Sequence, residues 1–172
     1  MKYLIVVDMQ NDFLTGALKN DDAVKAISYI KDKIQEFRDK GYKIIYTRDT
    51  HDENYSDTLE GSYLPVSHCI KGTQGWKISE ALSPAKDDLI IDKKTFGYPY
   101  WRYSPITDGD DIYMVGTCTD ICVVSNALIL KTVFPDSKIH IYSKGCAGTT
   151  VENHNDALRT MKSCQCEIFD ED

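Results

Sequence analysis

The chain has 172 residues, 42% hydrophobic and 27% charged, with a formal net charge of −7 at pH 7. This composition predicts one globular domain spanning residues 1–172 and excludes collagen, coiled coil and intrinsic disorder. Because the net negative charge repels phosphate groups and anionic lipid headgroups, we expect neither nucleic acid nor membrane partners.

Six short apolar runs, alternating with helical patterns, indicate an α/β fold. The runs cover residues 3–7, 42–46, 88–91, 112–115, 138–142 and 166–169. Apolar residues at helical spacing predict helices over residues 21–40, 120–133 and 151–162, and Thr149 with Glu152 would form a capping box for the last. This order of elements predicts a three-layer α/β/α domain with a six-stranded parallel sheet.

The first apolar run also bears on the cellular compartment. It ends at Asp8 after five residues, which is too short for a signal peptide or a membrane span. We therefore expect a cytoplasmic protein. Because a reducing compartment disfavours disulfides, we interpret the six cysteines as free thiols.

Polar side chains follow four of the predicted strands. In chain order they are Asp8, then Asp49 and His51, then Lys93 and Lys94, then the segment 116–122. Ligands of open parallel sheets bind beyond the carboxyl ends of the strands, so these side chains are predicted to surround one pocket. The second group opens an irregular stretch, residues 48–75, and a loop of that length in a compact domain is usually functional or disordered.

Cys122 lies in the segment that follows the fourth predicted strand. With Thr119 as N-cap, it falls in the first helical turn, where unpaired N–H groups and the helix dipole favour thiolate over thiol. The backbone N–H groups of Cys118 and Cys122 are candidates for an oxyanion hole. The alternative is that Cys122 only fills a helix–sheet contact, which is the commoner role of a free cysteine.

Asp8 ends a buried strand, where a carboxylate needs a cationic partner. Lys93, at the end of another strand, can supply that charge, and beside a thiol the pair would act as a charge-balanced general base. Alternatively, Asp8 caps the following turn and Lys93 is a solvated surface residue. Lys94 competes for the same role, and we favour Lys93 because it lies nearer the strand end.

Three residues at the edges of the long loop have the chemistry of metal ligands. Asp49 and His51 share one face of an extended segment, and His68 can return from the far end of the loop. Glu60 is a further candidate ligand or a partner for a bound water. This set suits a divalent metal, with Zn favoured over Fe or Mn, although solvated surface side chains would explain the pattern about as well.

Four motifs in this order resemble those of the isochorismatase-like cysteine hydrolases, most of all the nicotinamidases. They are residues 6–13 (VVDMQNDF), 47–51 (TRDTH), 68–73 (HCIKGT) and 116–123 (GTCTDICV), and the resemblance continues to residues 154–158. It implies the six-stranded parallel sheet and a catalytic triad of Asp8, Lys93 and Cys122. Asp8 would take the thiol proton, Cys122 would attack the amide carbonyl to give a thioester, and the N–H groups of Cys118 and Cys122 would hold the oxyanion.

The resemblance also implies a metal site that binds the ring nitrogen of nicotinamide, which would be hydrolysed to nicotinate and ammonia. The implied ligands are Asp49, His51 and His68, with Glu60 a looser match. Candidates for packing against the ring are Phe13, Trp76 and Tyr98.

One segment departs from the family pattern, because residues 93–98 read KKTFGY where a lysine followed by Ser-Ala-Phe is commoner. This keeps open a related enzyme that acts on another small amide, ureide or vinyl ether, and beyond it a binding module without catalysis. A homo-oligomer is a further hypothesis, with Tyr100, Trp101 and Tyr103 as a candidate interface.

Overall fold

The computed structural model describes residues 1–169, and its centre is a six-stranded parallel sheet. The strands are β1 (Lys2–Val7), β2 (Lys43–Asp49), β3 (Leu89–Lys93), β4 (Asp111–Thr117), β5 (Lys138–Ala147) and β6 (Glu167–Phe169). They lie in the order β3-β2-β1-β4-β5-β6, with every neighbouring pair parallel. The predicted fold class is confirmed.

Helices cover both faces of this sheet. They are α1 (Asn11–Leu14), α2 (Asp21–Asp39), α3 (Leu59–Tyr63), α4 (Val124–Val133) and α5 (Val151–Ser163). Alternate side chains of β1 enter two separate cores: Leu4 and Val6 pack with α2, whereas Ile5 packs with α4 and α5. This two-sided burial explains why β1 is a continuous apolar run rather than an alternating one.

The strand order reverses once, where the chain passes from β3 to β4, and this reversal creates a position for a ligand. From β1 the chain builds outward through β2 to β3 and then returns to the other side of β1 as β4. In parallel sheets ligands bind where the strand order reverses in this way. The segments that follow β1 and β4, which begin at Asp8 and Cys118, therefore lie side by side.

Two of the predicted helix caps are wrong. Thr150 caps α5, since its side chain accepts the N–H of Asn153, and Thr149 instead donates its hydroxyl to Asp120. Thr119 is not the N-cap of a standard helix, because Thr119–Val123 forms one wide π-helical turn before α4 begins.

The backbone of β4 passes very close to β1 at Gly116. Gly116 has φ +127°, and a Cβ there would collide with the carbonyl oxygen of Val7. We expect Gly116→Ala to lower the free energy of unfolding by about 2–5 kcal/mol, from backbone strain and overpacking together. Urea unfolding would measure this.

Gly109→Ala is the matched control, because Gly109 also has positive φ (+90°) but an added Cβ would meet nothing within 4 Å. Gly109→Ala should lower the free energy of unfolding only through backbone strain, by about 1–3 kcal/mol. Equal losses for the two variants would contradict a steric role for the approach of Gly116 to Val7.

The surface of the fold bears on the predicted compartment and partners. Within residues 1–169, no helix is long and apolar enough to cross a membrane, and the six cysteines are all free, as predicted. Tyr100 and Tyr103 are exposed, but Trp101 is completely buried in the core. The proposal of Trp101 as an interface residue was therefore wrong.

Candidate active site and metal site

Asp8, Lys93 and Cys122 meet at the carboxyl edge of the sheet. The Lys93 ammonium Nζ lies 2.6 Å from Asp8 Oδ2 and 3.6 Å from Cys122 Sγ. All three side chains are buried. Lys94 points away, since it is exposed and pairs with Asp52 at 2.6 Å, so Lys93 is the lysine that the structure brings to Asp8.

The local backbone and one threonine orient Asp8. Asp8 has φ +50°, a left-handed conformation that aspartate tolerates better than most residues and that turns the chain immediately after β1. Thr47 in β2 donates its hydroxyl to Asp8 Oδ1 at 2.6 Å. Sequence reasoning missed Thr47, although a threonine near the end of a strand adjacent to β1 was the available signal.

Burial dominates the protonation of this group. Burial raises the pKa of Asp8, with Lys93 opposing the shift, and raises the pKa of the Cys122 thiol well above its ordinary value. Burial lowers the pKa of Lys93, but Asp8, Cys122 and Asp49 together more than offset this, so the net shift is upward. The expectation that the helix terminus alone favours a thiolate was therefore wrong: the free thiol is neutral at pH 7 and needs a base.

The turn that carries Cys122 is wide because the carbonyl of Cys118 bonds to the N–H of Val123, five residues later in the chain. Cys118 O accepts the N–H of Ile121 and of Val123, each at 3.1 Å. Thr119 contacts His154 Nδ1 through its hydroxyl at 2.8 Å, and Asp120 accepts the N–H of Thr149 at 2.8 Å. The turn is thus tied to the start of α5 and presents both Cys118 and Cys122 to one cavity.

Beside the triad, four side chains form a candidate metal site. Asp49, His51, Glu60 and His68 offer ligand atoms that all lie within 4.8 Å of one another. Asp49 Oδ2 is 2.9 Å from His51 Nε2 and 3.4 Å from His68 Nε2. The loop returns here because His51 N–H bonds to Cys69 O, which pairs the loop with the end of β2.

The donor set fits a divalent cation. His68 Nδ1 lies 2.8 Å from Val66 O, and a proton on Nδ1 would leave Nε2 free as a ligand, the usual arrangement for metal-bound histidine. Burial raises the pKa of Asp49, but the neighbouring His51, His68 and Lys93 side chains reverse the effect, so the net shift is downward and Asp49 is an anion. Two imidazoles and two carboxylates suit zinc, with iron or manganese also compatible.

One cavity of about 790 Å³ joins the thiol to the metal group. Cys122, Asp49, Glu60 and His68 all line it, as does Phe13 from the predicted substrate residues. Ile121 also lines it, within the segment 116–122 that the sequence placed at the pocket. The structure adds Leu64, Phe96 and residues 16–22, which sequence reasoning missed because none of them directly follows a strand.

The other two predicted ring-packing residues are not among the residues that line this cavity. The Trp76 indole donates to Thr50 Oγ1 at 2.8 Å, and Arg48 covers its ring at 3.7 Å. Tyr98 packs edge-on against Trp101. For these two residues the structure contradicts the prediction, because side-chain contacts within the protein hold their rings.

Gln10 is another residue that sequence reasoning missed. It is completely buried, accepts the Asp49 N–H at 2.7 Å and donates to Asp49 O at 2.8 Å. These two bonds fix the backbone of a candidate metal ligand. A polar residue two positions beyond Asp8 was the signal.

Comparisons with known proteins identify the family. Residues 2–172 match the isochorismatase domain family. The nicotinamidase of Schizosaccharomyces pombe is 23% identical over 98% of this chain and 92% of its own length, and the nicotinamidase/pyrazinamidase of Mycobacterium tuberculosis is 26% identical over 98% of both. The pyrazinamidase of Pyrococcus horikoshii, solved in complex with zinc, superposes with a TM-score of 0.84 at 28% identity over 97% of both chains. The chain therefore belongs to the isochorismatase family and is a hydrolase similar to the nicotinamidases and pyrazinamidases.

Proposed function

We propose that this protein is a metal-assisted cysteine amidase that hydrolyses nicotinamide to nicotinate and ammonia, and that it also accepts pyrazinamide. The observation that carries the proposal is that one cavity is lined both by Cys122, which lies beside the Asp8–Lys93 pair, and by Asp49, Glu60 and His68 of the metal group. The family relationship supports the same chemistry, since several relatives are named nicotinamidases.

Asp8 is the base of the first half-reaction. Its raised pKa makes the carboxylate a stronger proton acceptor than an exposed aspartate, which suits removal of the Cys122 proton. The thiolate attacks the amide carbonyl, and the N–H groups of Cys118 and Cys122 hold the oxyanion. Asp8 then returns the proton to the leaving nitrogen, ammonia departs, and Cys122 carries the acyl group as a thioester.

The second half-reaction repeats these proton transfers with water. Asp8 takes a proton from water, the resulting hydroxide attacks the thioester carbonyl, and the Cys122 sulfur leaves and recovers that proton. Lys93 keeps its positive charge while Asp8 or Cys122 is ionised, because these neighbouring anions raise its pKa, and it stabilises both of them.

Asp49, His51, Glu60 and His68 would hold the metal, which when bound supplies a Lewis acid for the ring nitrogen of the substrate. Phe13 lies on the cavity wall and is proposed to pack against the ring. Free thiols at the cavity suit a reducing compartment, so we propose that the protein is cytoplasmic.

Ammonia release from nicotinamide, pyrazinamide and benzamide, before and after chelation, tests this function. Chelation should slow nicotinamide hydrolysis by about tenfold or more, and added zinc should restore it. Benzamide is the matched control, since it has the same shape without a ring nitrogen and should be a poor substrate with or without metal.

The metal content of the protein should be measured after chelation, so that the measured rate is known to be that of metal-free protein. Unchanged turnover of nicotinamide by metal-free protein would refute the metal-assisted site. Absence of any nicotinamide turnover, with hydrolysis of another small amide or ureide, would favour the alternative substrate class.

A further inference from the structure

Asn126 is completely buried in the first half of α4 and uses its whole hydrogen-bonding capacity. Its Nδ2 donates to Cys122 O at 2.8 Å and to Phe96 O at 3.3 Å. Its Oδ1 accepts the Tyr98 N–H and the Trp101 indole Nε1–H, both at 2.9 Å. A primary amide has two donors and one oxygen with two lone pairs, so every position is filled.

The four hydrogen bonds of the Asn126 amide reach two different parts of the site. One donor bond holds the carbonyl of Cys122, in the wide turn that precedes α4. The remaining bonds hold the segment Phe96–Trp101, which follows β3 and therefore follows Lys93 directly. Asn126 thus links the backbone of the thiol-bearing residue to the chain that leaves the ammonium group.

This link matters because the Cys122 thiol must stay close to the Asp8–Lys93 pair for proton transfer. The Cys122 sulfur lies 3.6 Å from Lys93 Nζ, which in turn lies 2.6 Å from Asp8. Proton transfer requires the donor and acceptor to stay within hydrogen-bond reach. Phe96 also lines the cavity, so the same amide braces a part of the substrate wall.

We propose that Asn126 is a positioning residue, which holds the Cys122 thiol against the Asp8–Lys93 pair through the bond from Nδ2 to Cys122 O. Its effect on turnover rests on the proposed amidase function, whereas its effect on the reactivity of the thiol does not. Loss of the bond would remove this side-chain donor from the carbonyl of Cys122 and let the wide turn relax away from the base.

Two nearly isosteric variants isolate this one bond. Asn126→Thr and Asn126→Val both lose the bonds to Phe96, Tyr98 and Trp101. A helical threonine, however, can donate its hydroxyl to the carbonyl four residues earlier, which at this position is Cys122 O. We expect kcat to fall by about 30-fold or more in Asn126→Val and by only about fivefold in Asn126→Thr, with KM in both within about threefold of wild type.

Trp101→Phe is the structural control, since it removes one bond on the acceptor side and leaves both Nδ2 bonds in place. It should lower the melting temperature yet keep kcat within about twofold of wild type. Equal kcat in Asn126→Thr and Asn126→Val, or an equally large loss in Trp101→Phe, would overturn the proposal. If Asn126→Val does not fold, Asn126→Ser and Asn126→Ala make the same one-hydroxyl comparison.

The rate of Cys122 alkylation by iodoacetamide, followed by mass spectrometry of the intact protein, separates this inference from the amidase proposal. Alkylation should be about fivefold or more slower in Asn126→Val than in Asn126→Thr, because less thiolate forms when the sulfur lies farther from the Lys93 ammonium, which is 3.6 Å away in the wild type. Equal alkylation rates would refute the positioning role even if wild type hydrolyses nicotinamide. Slower alkylation in a protein that hydrolyses no nicotinamide would refute the amidase proposal alone.

Discussion

Cys122→Ala is expected to reduce ammonia release from nicotinamide by about 10⁴-fold or more, because it removes the atom that attacks the carbonyl. Cys122→Ser should be nearly as inactive. A hydroxyl is far less acidic than a thiol, and Asp8 is a carboxylate rather than an imidazole base. Initial rates with purified, folded protein would measure both effects.

Cys166→Ala is the matched control for loss of a buried sulfur. Cys166 is 3% exposed, lies in the core and is not among the residues that line the cavity, so its replacement should leave the rate unchanged. Hydroxylamine added to the wild-type reaction should yield the hydroxamate, since it intercepts a thioester. Full activity of Cys122→Ala would refute the nucleophile, and absence of hydroxamate would contradict the thioester.

The strands β1, β2, β4 and β5 were predictable from the sequence because each contains a run of buried apolar residues that includes β-branched ones. Strand ends were less predictable: β3 extends to Lys93 and β5 to Ala147, two and five residues beyond their apolar runs. Asp92 and Lys93 complete β3, where Asp92 pairs with Arg48 and Lys93 with Asp8, and small residues that include Cys146 and Ala147 complete β5. Hydrophobic patterns therefore locate the strands but underestimate how far they reach into the site.

The candidate site was predictable as far as residues directly follow strands. Asp8, Asp49 and Lys93 come together because the register of a parallel sheet aligns its strand ends, as in the pairing of Asp49 with Lys93. The cavity wall could not be derived in this way, since Leu64 and Phe96 reach it from irregular loops. The role of Asn126 could not be predicted for a related reason. The sequence shows a polar residue within an apolar helix, but it does not show which carbonyl groups that residue will bind.

Removal of either partner of the buried Asp8–Lys93 ion pair gives the second large effect. We expect the two losses of stability to be unequal. Lys93→Met should destabilise the fold by about 3–5 kcal/mol, because it leaves Asp8 buried without its cation. Asp8→Asn should cost less, since Lys93 still lies 3.6 Å from Asp49. Both variants should lose amidase activity. Urea unfolding and the double variant Asp8→Asn/Lys93→Met measure the coupling, which should recover much of the Lys93→Met loss.

The pH dependence of the Lys93→Met variant tests the cause of its instability. Burial already raises the pKa of Asp8 above its unfolded value, and loss of the lysine removes the main opposing charge. The folded variant then binds a proton more tightly than the unfolded chain, so its stability relative to the double variant should rise as pH falls through the raised pKa of Asp8 toward about 4. A deficit that does not change with pH over this range would mean that lost packing of the lysine chain, rather than an uncompensated carboxylate, destabilises the fold.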